Sequence, residues 1–429
     1  MPDVTDNVLM HAAQVVAKCL DRGSGPADVM AAMPALRREP SRVRAQVVRL
    51  AMAVIAGRRR LRYALGDRRP RDPLQRARAY LMLALIEAGV RVPADARDLP
   101  SEQVMRERLL AIADAGERMA VEYSVPDWLL PHFEEAFGEQ CGAVLGALAE
   151  PAPRTLRANR LRVADRAELI DRLAAEGVEA VPGRYAPDAV HVVGTEDLFQ
   201  TSAYRDGCFE QQDEASQLAI AATAPAPGSR ALDLCCGSGG KTLGLAASLG
   251  NRGAILACDV HAARVQELRG RLARAGADNV RPLHLDGGPA AERALAEFAR
   301  RADRILVDAP CSGTGSWRRR QQARWQVDEA GFAELQAAQW MLLQRAAGWL
   351  KEGARLVYAT CSLLPAENER QLERLREHAP DLEVVRLKEV LGGEVADPIT
   401  DATGTWLRVR PDQQGCDGFF LGVLRRKNA

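Results

Sequence analysis

The sequence predicts three successive parts: an all-α domain, a small α+β module, and an α/β domain with a mostly parallel sheet and helices on both faces. The 429 residues suffice for two or three domains of roughly 150 residues each. Residues 8–120 carry apolar residues at helical spacing and no strand pattern. After Arg230, short β-rich runs alternate with helical stretches, which is typical of a parallel sheet covered by helices.

Composition excludes several classes of protein. Hydrophobic residues make up 47% and charged residues 27%, close to globular averages, which argues against a disordered or fibrous chain. No apolar run reaches the roughly 18 residues of a membrane span, and the acidic start lacks the basic region of a signal peptide. Nine cysteines without a CxxC pair argue against a disulfide scaffold or zinc site. We expect a cytoplasmic protein without bound metal, and a monomer by default.

Charge is unevenly distributed along the first domain, predicted as residues 1–122. The net charge is +1, yet the segment from Arg37 to Arg78 contains 14 arginines and three acidic residues. Such a segment can meet a phosphate backbone electrostatically. The alternative is a set of solvated helix faces in an arginine-rich chain, which has 53 arginines and five lysines. Because lysine is scarce, Lys241 stands out as a candidate functional residue.

Residues 123–206 are predicted to form a linker and the small α+β module. Two prolines bracket aromatic residues in the segment that begins at Tyr123. From Thr155 the pattern alternates as a strand, then becomes a helix that ends at Gly177, and two short strand patterns follow before Thr201.

Residues 207–429 are predicted to form the α/β domain, and four aspartates lie at or near the carboxyl ends of its strand patterns. These are Asp233, Asp259, Asp286 and Asp308. Ligands of open α/β sheets bind at that edge. Four acids in equivalent positions therefore predict a shared ligand-binding edge.

A glycine-rich turn follows the first of these strands and opens a helix. Its residues are Cys235, Cys236, Gly237, Ser238, Gly239, Gly240 and Lys241. Glycine permits close approach of the backbone to a ligand, and a helix N-terminus offers free N–H groups. A phosphate-binding loop needs glycine at position 235 and a dinucleotide fingerprint needs it at 242, so only degenerate forms of either remain open. The remaining class is the nucleoside-binding turn of methyltransferases, in which Asp259 accepts hydrogen bonds from the ribose.

Two cysteines follow adjacent strand patterns. Cys311 lies in DAPCSGTG (308–315) and Cys361 in ATCS (359–362). If these strands are parallel neighbours, both thiols lie at the same edge of the sheet, facing the ligand. Cys235 and Cys236 are expected to line the turn. The remaining five are predicted to be small buried apolar residues: Cys19, Cys141, Cys208, Cys258 and Cys416.

The combined motifs resemble those of the RsmB/Sun (Fmu) family of S-adenosylmethionine-dependent RNA cytosine-5 methyltransferases, which are related to the NSUN enzymes. The resemblance covers nearly the whole chain. It is carried by DLCCGSGGKT, CDV, LDG, DAPCSGTGSWRRR, VYATCSLLPAENE, GCFEQQDEASQLA and DGFFLGVL. It implies a Rossmann-like class I methyltransferase domain, a ferredoxin-like module and a NusB-like RNA-binding domain. A cytosine within 16S rRNA is the implied substrate. The same chemistry on tRNA or 23S rRNA, a non-catalytic assembly factor and a nicotinamide dehydrogenase remain as alternatives.

The sequence departs from this family at two places. The family reads CAAPGGKT where this chain has Cys236, Gly237 and Ser238 in place of Ala-Ala-Pro. Loss of the proline is expected to loosen the turn and to affect cofactor affinity rather than cofactor identity. Trp317 occupies a position that is normally aliphatic.

The resemblance also implies roles for individual residues. Cys361 is the implied nucleophile, Cys311 acts in release of the product, and Asp308 relieves negative charge at ring nitrogen 3 of the cytosine. Lys241 is a candidate for the group that favours the thiolate form of Cys361. For S-adenosylmethionine, the implied contacts are the 235–241 turn at the amino-acid end, Asp259 at the ribose and Asp286 at the adenine, with Asp308 also at the cofactor.

Two arginine-rich stretches are candidates for RNA contact. The segment from Trp317 to Trp325 combines two tryptophans with four arginines, and aromatic rings stack bases while arginines hold phosphates. The alternative for this segment is an amphipathic helix whose tryptophans lie in the core. The run Arg58–Arg60 would extend an RNA track onto the first domain.

Overall fold

The computed structural model describes residues 4–93, 96, 98–223 and 225–427. The chain divides into two compact units. The first, here called the helical unit, contains residues 1–151 and 316–330. The second, the sheet unit, contains residues 152–315 and 331–429. The helical unit is therefore built from two separate stretches of the chain.

The described part of the helical unit consists of α-helices joined by short turns. Side chains of Thr5, Asp72, Ser101 and Asp114 accept hydrogen bonds at the starts of four of them, as residues preferred at N-caps do. The first, fourth and sixth helices pack together and bury most of the core. The helices are α1 Asp6–Arg22, α2 Pro26–Ala31, α3 Pro34–Arg37, α4 Ser41–Ala56, α5 Arg58–Leu65, α6 Pro73–Glu87, α7 Glu102–Leu110, α8 Ala115–Glu122, α9 Leu130–Phe137 and α10 Cys141–Ala147.

The segment 316–330 completes the helical unit. Trp317 is only 1% exposed, and its ring centroid lies 5.4 Å from that of Phe133. The buried Arg324 guanidinium lies 4.5 Å from the Trp317 ring centroid and donates to the carbonyl oxygen of Tyr123 at 3.0 Å. The interpretation of Trp317 as a base-stacking residue is therefore wrong, because its ring belongs to the core. The segment forms short 3₁₀ turns rather than the alternative amphipathic helix.

The sheet unit begins with a small antiparallel sheet of order β2-β3-β1-β4. Its apolar face, which includes Leu156 and Val190, packs on Leu169 and Leu173 of α11. The elements are β1 Arg154–Ala158, α11 Arg166–Ala175, β2 Ala180–Pro182, β3 Ala189–Val192, α12 Ser202–Arg205 and β4 Phe209–Gln211.

The large sheet has the order β10-β12-β9-β8-β5-β6-β7, with β11 paired to β12. The five strands from β9 to β7 are parallel, and β12 runs antiparallel to β9. The strands are β5 Arg230–Asp233, β6 Ala254–Asp259, β7 Val280–His284, β8 Arg304–Asp308, β9 Arg355–Thr360, β10 Leu382–Val384, β11 Leu407–Val409 and β12 Phe419–Arg426.

Helices cover both faces of this sheet. Ala231 belongs to a core shared with α13, α14 and α15, whereas its neighbour Leu232 belongs to a core shared with α16, α17 and α18, as the alternation of strand side chains requires. The helices are α13 Glu214–Thr223, α14 Gly240–Leu249, α15 Ala262–Ala275, α16 Pro289–Ala299, α17 Glu329–Trp349, α18 Glu369–His378, α19 Lys388–Leu391, α20 Gly393–Ala396 and α21 Pro411–Gln414. The predicted α/β class with a mostly parallel sheet is confirmed.

The predicted division into three domains differs in detail from the observed elements. The boundary at 122/123 falls between α8 and α9, inside the helical unit. The boundary at 206/207 falls before β4, which pairs with β1 in the small sheet. The three-domain division and the NusB-like character of the helices stay predictions. Within the described ranges, no helix is both long and apolar enough to cross a bilayer.

Candidate active site

The carboxyl edge of the parallel strands carries the four predicted aspartates. Asp233, Asp259 and Asp308 are the last residues of β5, β6 and β8, and Asp286 follows β7 by two residues. Asp233 is fully buried and accepts a hydrogen bond from Thr242 Oγ1 at 2.7 Å. Burial raises the pKa of Asp233 to about 7. Asp233 therefore holds the start of α14, while the other three lie at the edge.

The glycine-rich turn has the geometry of a ligand cradle. Gly237 and Gly239 have φ values of +53° and +90°, which glycine adopts without steric cost. A Cβ at position 239 would lie 2.2 Å from Leu268 Cδ1. Gly239 provides no side-chain cap to α14, so the N–H groups of the first turn are available to an anionic group such as a carboxylate.

Ser238 and Cys236 restrain the turn where the family has proline and alanine. Ser238 Oγ donates to Glu267 Oε2 at 2.8 Å, and its carbonyl oxygen accepts from Arg271 Nη1 at 2.8 Å. The N–H of Cys236 donates to the carbonyl oxygen of Cys258 at 2.8 Å. Burial raises the pKa of Cys235 and of Cys236 well above that of an ordinary thiol, so neither has the character of a nucleophile.

Asp259 lies at the start of this cradle. Its side chain is 6% exposed and accepts hydrogen bonds from the N–H of Gly237 at 2.9 Å and of His261 at 2.8 Å. Each carboxylate oxygen keeps a further lone pair for a ligand hydroxyl. Val260 beside it is 63% exposed, an apolar surface that the sequence reasoning did not single out. Asp286 is exposed and accepts from the N–H of Gly288.

The two predicted cysteines meet at the same edge. Cys311 Sγ and Cys361 Sγ are 3.4 Å apart, because β8 and β9 are parallel neighbours. The hydrogen bond from Cys311 lowers the pKa of Cys361, and the Lys241 ammonium acts in the same direction, against burial and the charge of Asp308. The same hydrogen bond, together with burial, raises the pKa of Cys311. Cys361 is thus the thiol that ionises first.

Lys241 and Asp308 form an ion pair beside these thiols. Lys241 Nζ lies 2.6 Å from Asp308 Oδ2 and 5.3 Å from the ring centroid of Phe419. Lys241 comes from the first turn of α14 and is 9% exposed. The ion pair therefore joins the start of α14, directly after the glycine-rich turn, to the end of β8, where the segment with Cys311 begins.

Glu367 lies within the motif VYATCSLLPAENE, and the sequence alone predicts no role for it. It is fully buried, and its carboxylate accepts from the N–H of Ser312 at 2.8 Å and from Gln339 Nε2 at 3.0 Å. The hydroxyls of Ser312 and Ser362 each donate to Glu367 Oε2 at 2.5 Å. Ser312 and Ser362 directly follow the two cysteines, so one carboxylate holds both cysteine-bearing loops. No local pattern in the sequence marks this acid, because Ser312 and Gln339 lie far from it along the chain.

The remaining five cysteines have buried side chains. Cys19, Cys141, Cys208, Cys258 and Cys416 are buried, which confirms that prediction.

Comparison with family models identifies two regions. Residues 220–425 match the model described as 16S rRNA methyltransferase RsmB/F. Residues 125–198 match the ferredoxin-like domain of RsmF/B-like methyltransferases. The first match contains the glycine-rich turn, the four aspartates and both thiols of the edge.

Similar proteins extend the comparison to the whole chain. The probable ribosomal RNA small subunit methyltransferase B of Bacillus subtilis is 34% identical over 320 residues, 74% of this chain and 70% of that protein. The ribosomal RNA small subunit methyltransferase B of Xanthomonas campestris is 31% identical over 443 residues, 97% of this chain and 96% of that protein.

Solved structures share the fold. The crystal structure of PH0851 has a TM-score of 0.81 at 22% identity and covers 99% of both chains. A methyltransferase homolog from Pyrococcus horikoshii has a TM-score of 0.62 at 26% identity, over 74% of this chain and all of that chain. The chain carries the cysteine pair and the glycine-rich turn, and it matches a relative over nearly its full length. It therefore belongs to the RsmB/F family of 16S rRNA methyltransferases.

Proposed function

We propose that this protein methylates carbon 5 of a cytosine in 16S rRNA, with Cys361 as the covalent nucleophile. The observation that carries the proposal is the pair of thiols, whose sulfur atoms lie 3.4 Å apart at the carboxyl edge of the sheet. The pKa of Cys361 is lowered by the hydrogen bond from Cys311, and that bond and burial raise the pKa of Cys311. Carbon 5 of cytosine is a poor nucleophile, and covalent addition at carbon 6 divides the reaction into two easier steps.

S-adenosylmethionine is the methyl donor and supplies an electrophilic methyl group when bound. The residues present fit it: the free N–H groups at the start of α14 suit its carboxylate, Asp259 suits the ribose hydroxyls, and exposed Val260 suits the flat face of the adenine. Asp286 is proposed at the edge of the adenine. The target cytosine must be unpaired or flipped out for its ring to reach the thiols.

Addition begins when the Cys361 thiolate forms a bond from Sγ to carbon 6. The electron pair of the carbon 5–carbon 6 double bond moves into the ring, and the developing charge at nitrogen 3 is relieved by a proton donor. Lys241 and Asp308 lie 2.6 Å apart, so a donor is present there whichever partner holds the proton. Carbon 5 is thereby made nucleophilic, and S-adenosylmethionine held at the glycine-rich turn and Asp259 would supply its methyl group there, with S-adenosylhomocysteine as the leaving product.

Release requires removal of the carbon 5 proton. We assign this step to Cys311, whose sulfur adjoins that of Cys361. Cys311 becomes the base when its thiol proton replaces the proton that the donor gave to nitrogen 3. When the carbon 5 proton moves to Cys311, its bonding pair restores the carbon 5–carbon 6 double bond, the bond from Cys361 Sγ to carbon 6 breaks, and Cys361 regains a thiolate. The proton on nitrogen 3 then leaves to solvent. Neither sulfur changes oxidation state.

Asp259→Asn is expected to weaken S-adenosylmethionine binding. The amide nitrogen that replaces one carboxylate oxygen cannot accept hydrogen bonds from the backbone or the ribose. We expect the Kd, measured by isothermal titration calorimetry, to rise about tenfold or more. Asp171→Asn, on the exposed face of α11, is the matched control. Equal affinities of the two variants would remove Asp259 from the cofactor site.

Glu367→Gln is expected to slow methyl transfer with little change in S-adenosylmethionine affinity. An amide group places a donor against two hydroxyls or against the N–H groups of Ser312 and Gln339, so the cysteine loops must shift. A displacement of about 1 Å costs roughly 100-fold in rate. Single-turnover kinetics measure the loss, with Glu373→Gln on the exposed face of α18 as control. A loss of activity that appears only as a higher KM, with kcat unchanged, would contradict a role in positioning the cysteines.

The reaction itself is tested by labelled methyl transfer from S-adenosylmethionine to unmodified 16S rRNA, with 5-methylcytosine mapped by bisulfite sequencing. One converted cytosine supports the proposal. Transfer to tRNA or 23S rRNA instead would keep the chemistry and change the substrate. Bound S-adenosylmethionine with no transfer to any of these RNAs would favour a non-catalytic assembly factor.

A further inference from the structure

The helical unit carries a groove that contains none of the residues proposed for catalysis. The groove encloses about 1400 Å³. It is lined by α5 and the turn after it, by α7 and α8, by residues 126–128 and, from the segment 316–330, by Trp325. The residues that matter are Arg58, Arg62, Tyr63, Arg69, Trp128 and Trp325.

The groove holds positive charge that the chain does not neutralise. Arg62 and Arg69 are exposed, and neither has an acidic partner among the described residues. Burial lowers the pKa of Arg58, and the neighbouring guanidinium groups of Arg62 and Arg69 lower it further, against a contribution from Tyr80. This mutual repulsion is relieved when an anion binds between the arginines.

The other two arginines that line the groove already have partners within the chain. Arg59 is paired with Asp127 at 2.5 Å, and Arg108 Nη1 donates to the carbonyl oxygen of Ala64. Asp67 and Glu117 are the remaining acids of the lining. Arg60, the next residue after Arg59, forms an ion pair with Glu87 at 2.8 Å and so stabilises the helical unit.

Aromatic rings lie among these arginines. Trp325 is held in place because its Nε1 donates to the carbonyl oxygen of Ile55 at 3.0 Å, and the Arg58 guanidinium lies 5.3 Å from its ring centroid. Tyr63 is 37% exposed, and Trp128 lines the same groove. Arginines interleaved with accessible rings match an unpaired nucleotide strand, whose phosphates and base faces are both accessible. A duplex hides its base faces.

We propose that this groove binds an unpaired RNA segment, with phosphates at Arg58, Arg62 and Arg69 and a base stacked on Tyr63 or Trp128. The proposal rests on the proposed function only for the identity of the RNA, which is then a second contact on the same substrate. The groove adds affinity and selects rRNA, while the chemistry remains at the cysteines.

The test uses the full chain and two variants of equal charge change. R62E/R69E alters the groove, whereas R42E/R49E alters two exposed arginines of α4 that do not line it. Binding of a fluorescein-labelled oligouridine of about 12 nucleotides and methyl transfer to 16S rRNA are measured over a range of salt concentrations.

We expect R62E/R69E to weaken oligouridine binding and to raise the KM for 16S rRNA about tenfold, with kcat within about twofold of wild type. The slope of log affinity against log salt should fall by about 1.4, since two phosphate contacts to a single strand are lost. R42E/R49E should differ little from wild type.

Two outcomes of these measurements would overturn the proposed RNA groove. Equal losses in both variants would overturn the groove and indicate a diffuse charge effect. Retained RNA binding with lost binding to vesicles of anionic phospholipid would overturn it in favour of a membrane surface. Failure of methyl transfer in wild type would affect only the proposed function, because oligouridine binding needs no catalysis.

The aromatic contribution has its own test. Tyr63→Ala should weaken oligouridine binding roughly fivefold or more, whereas Tyr63→Phe keeps a stacking face and should bind as wild type. Equal affinities of the two variants would exclude Tyr63 as the stacking residue, and an unchanged affinity in Trp128→Ala as well would exclude base stacking in this groove.

Discussion

Cys361→Ala should abolish both methyl transfer and covalent protein–RNA adducts. Alanine cannot form the bond to carbon 6, so carbon 5 stays unactivated and the rate falls by roughly 10³ or more. The loss should appear in kcat, with S-adenosylmethionine affinity preserved. Labelled methyl transfer and denaturing gel electrophoresis of the RNA adduct measure the two effects on one sample.

Cys141→Ala is the matched control for this variant. Cys141 is a buried thiol of α10 in the helical unit, where alanine suits the helix. It should leave transfer and adducts intact. Turnover retained by Cys361→Ala would remove Cys361 as the nucleophile and would direct the assignment to Cys311.

Cys311→Ala should instead accumulate a protein–RNA adduct that survives denaturation. Addition by Cys361 and attack on the methyl group still occur, but the carbon 5 proton is not removed, so the bond from Cys361 to carbon 6 persists. We expect turnover to fall at least about 100-fold while the adduct approaches one equivalent. The double variant Cys311→Ala/Cys361→Ala should form none, and a single Cys311→Ala variant without adduct would contradict the release step.

The pH dependence of adduct formation follows from the two thiols. Hydrogen bonding from Cys311 lowers the pKa of Cys361, so in wild type the rate rises with pH and levels off below the ordinary thiol value of about 8.5. At low pH the protonated thiol is inactive. Cys311→Ala removes the donor and should move the rising limb to higher pH, which rapid-quench measurements at several pH values would detect.

The order of neighbouring residues was enough to predict the strands and the aspartates at their carboxyl ends. Apolar strand patterns that alternate with helical patterns can be recognised from short stretches of sequence. The 3.4 Å contact of Cys311 and Cys361 required in addition that β8 and β9 be neighbours. Glu367 had no local signal of its role, since its donors Ser312 and Gln339 lie far from it in the sequence, the first in the loop after β8 and the second in α17. Trp317 and its arginines have a composition that suits both base stacking and a core, and only the contact with Phe133 decides between them.

The split construction of the helical unit has a consequence for synthesis of the chain. During translation, residues 1–151 emerge from the ribosome long before residues 316–330. Until then, the surfaces of the helices against which Trp317 and Trp325 pack remain exposed. The helical unit therefore begins early in synthesis but is completed only after residue 330 has been added, when residues 152–315 of the sheet unit have already been made. A fragment that ends at residue 151 should aggregate or attract chaperones, and adding residues 316–330 as a separate peptide should restore its solubility.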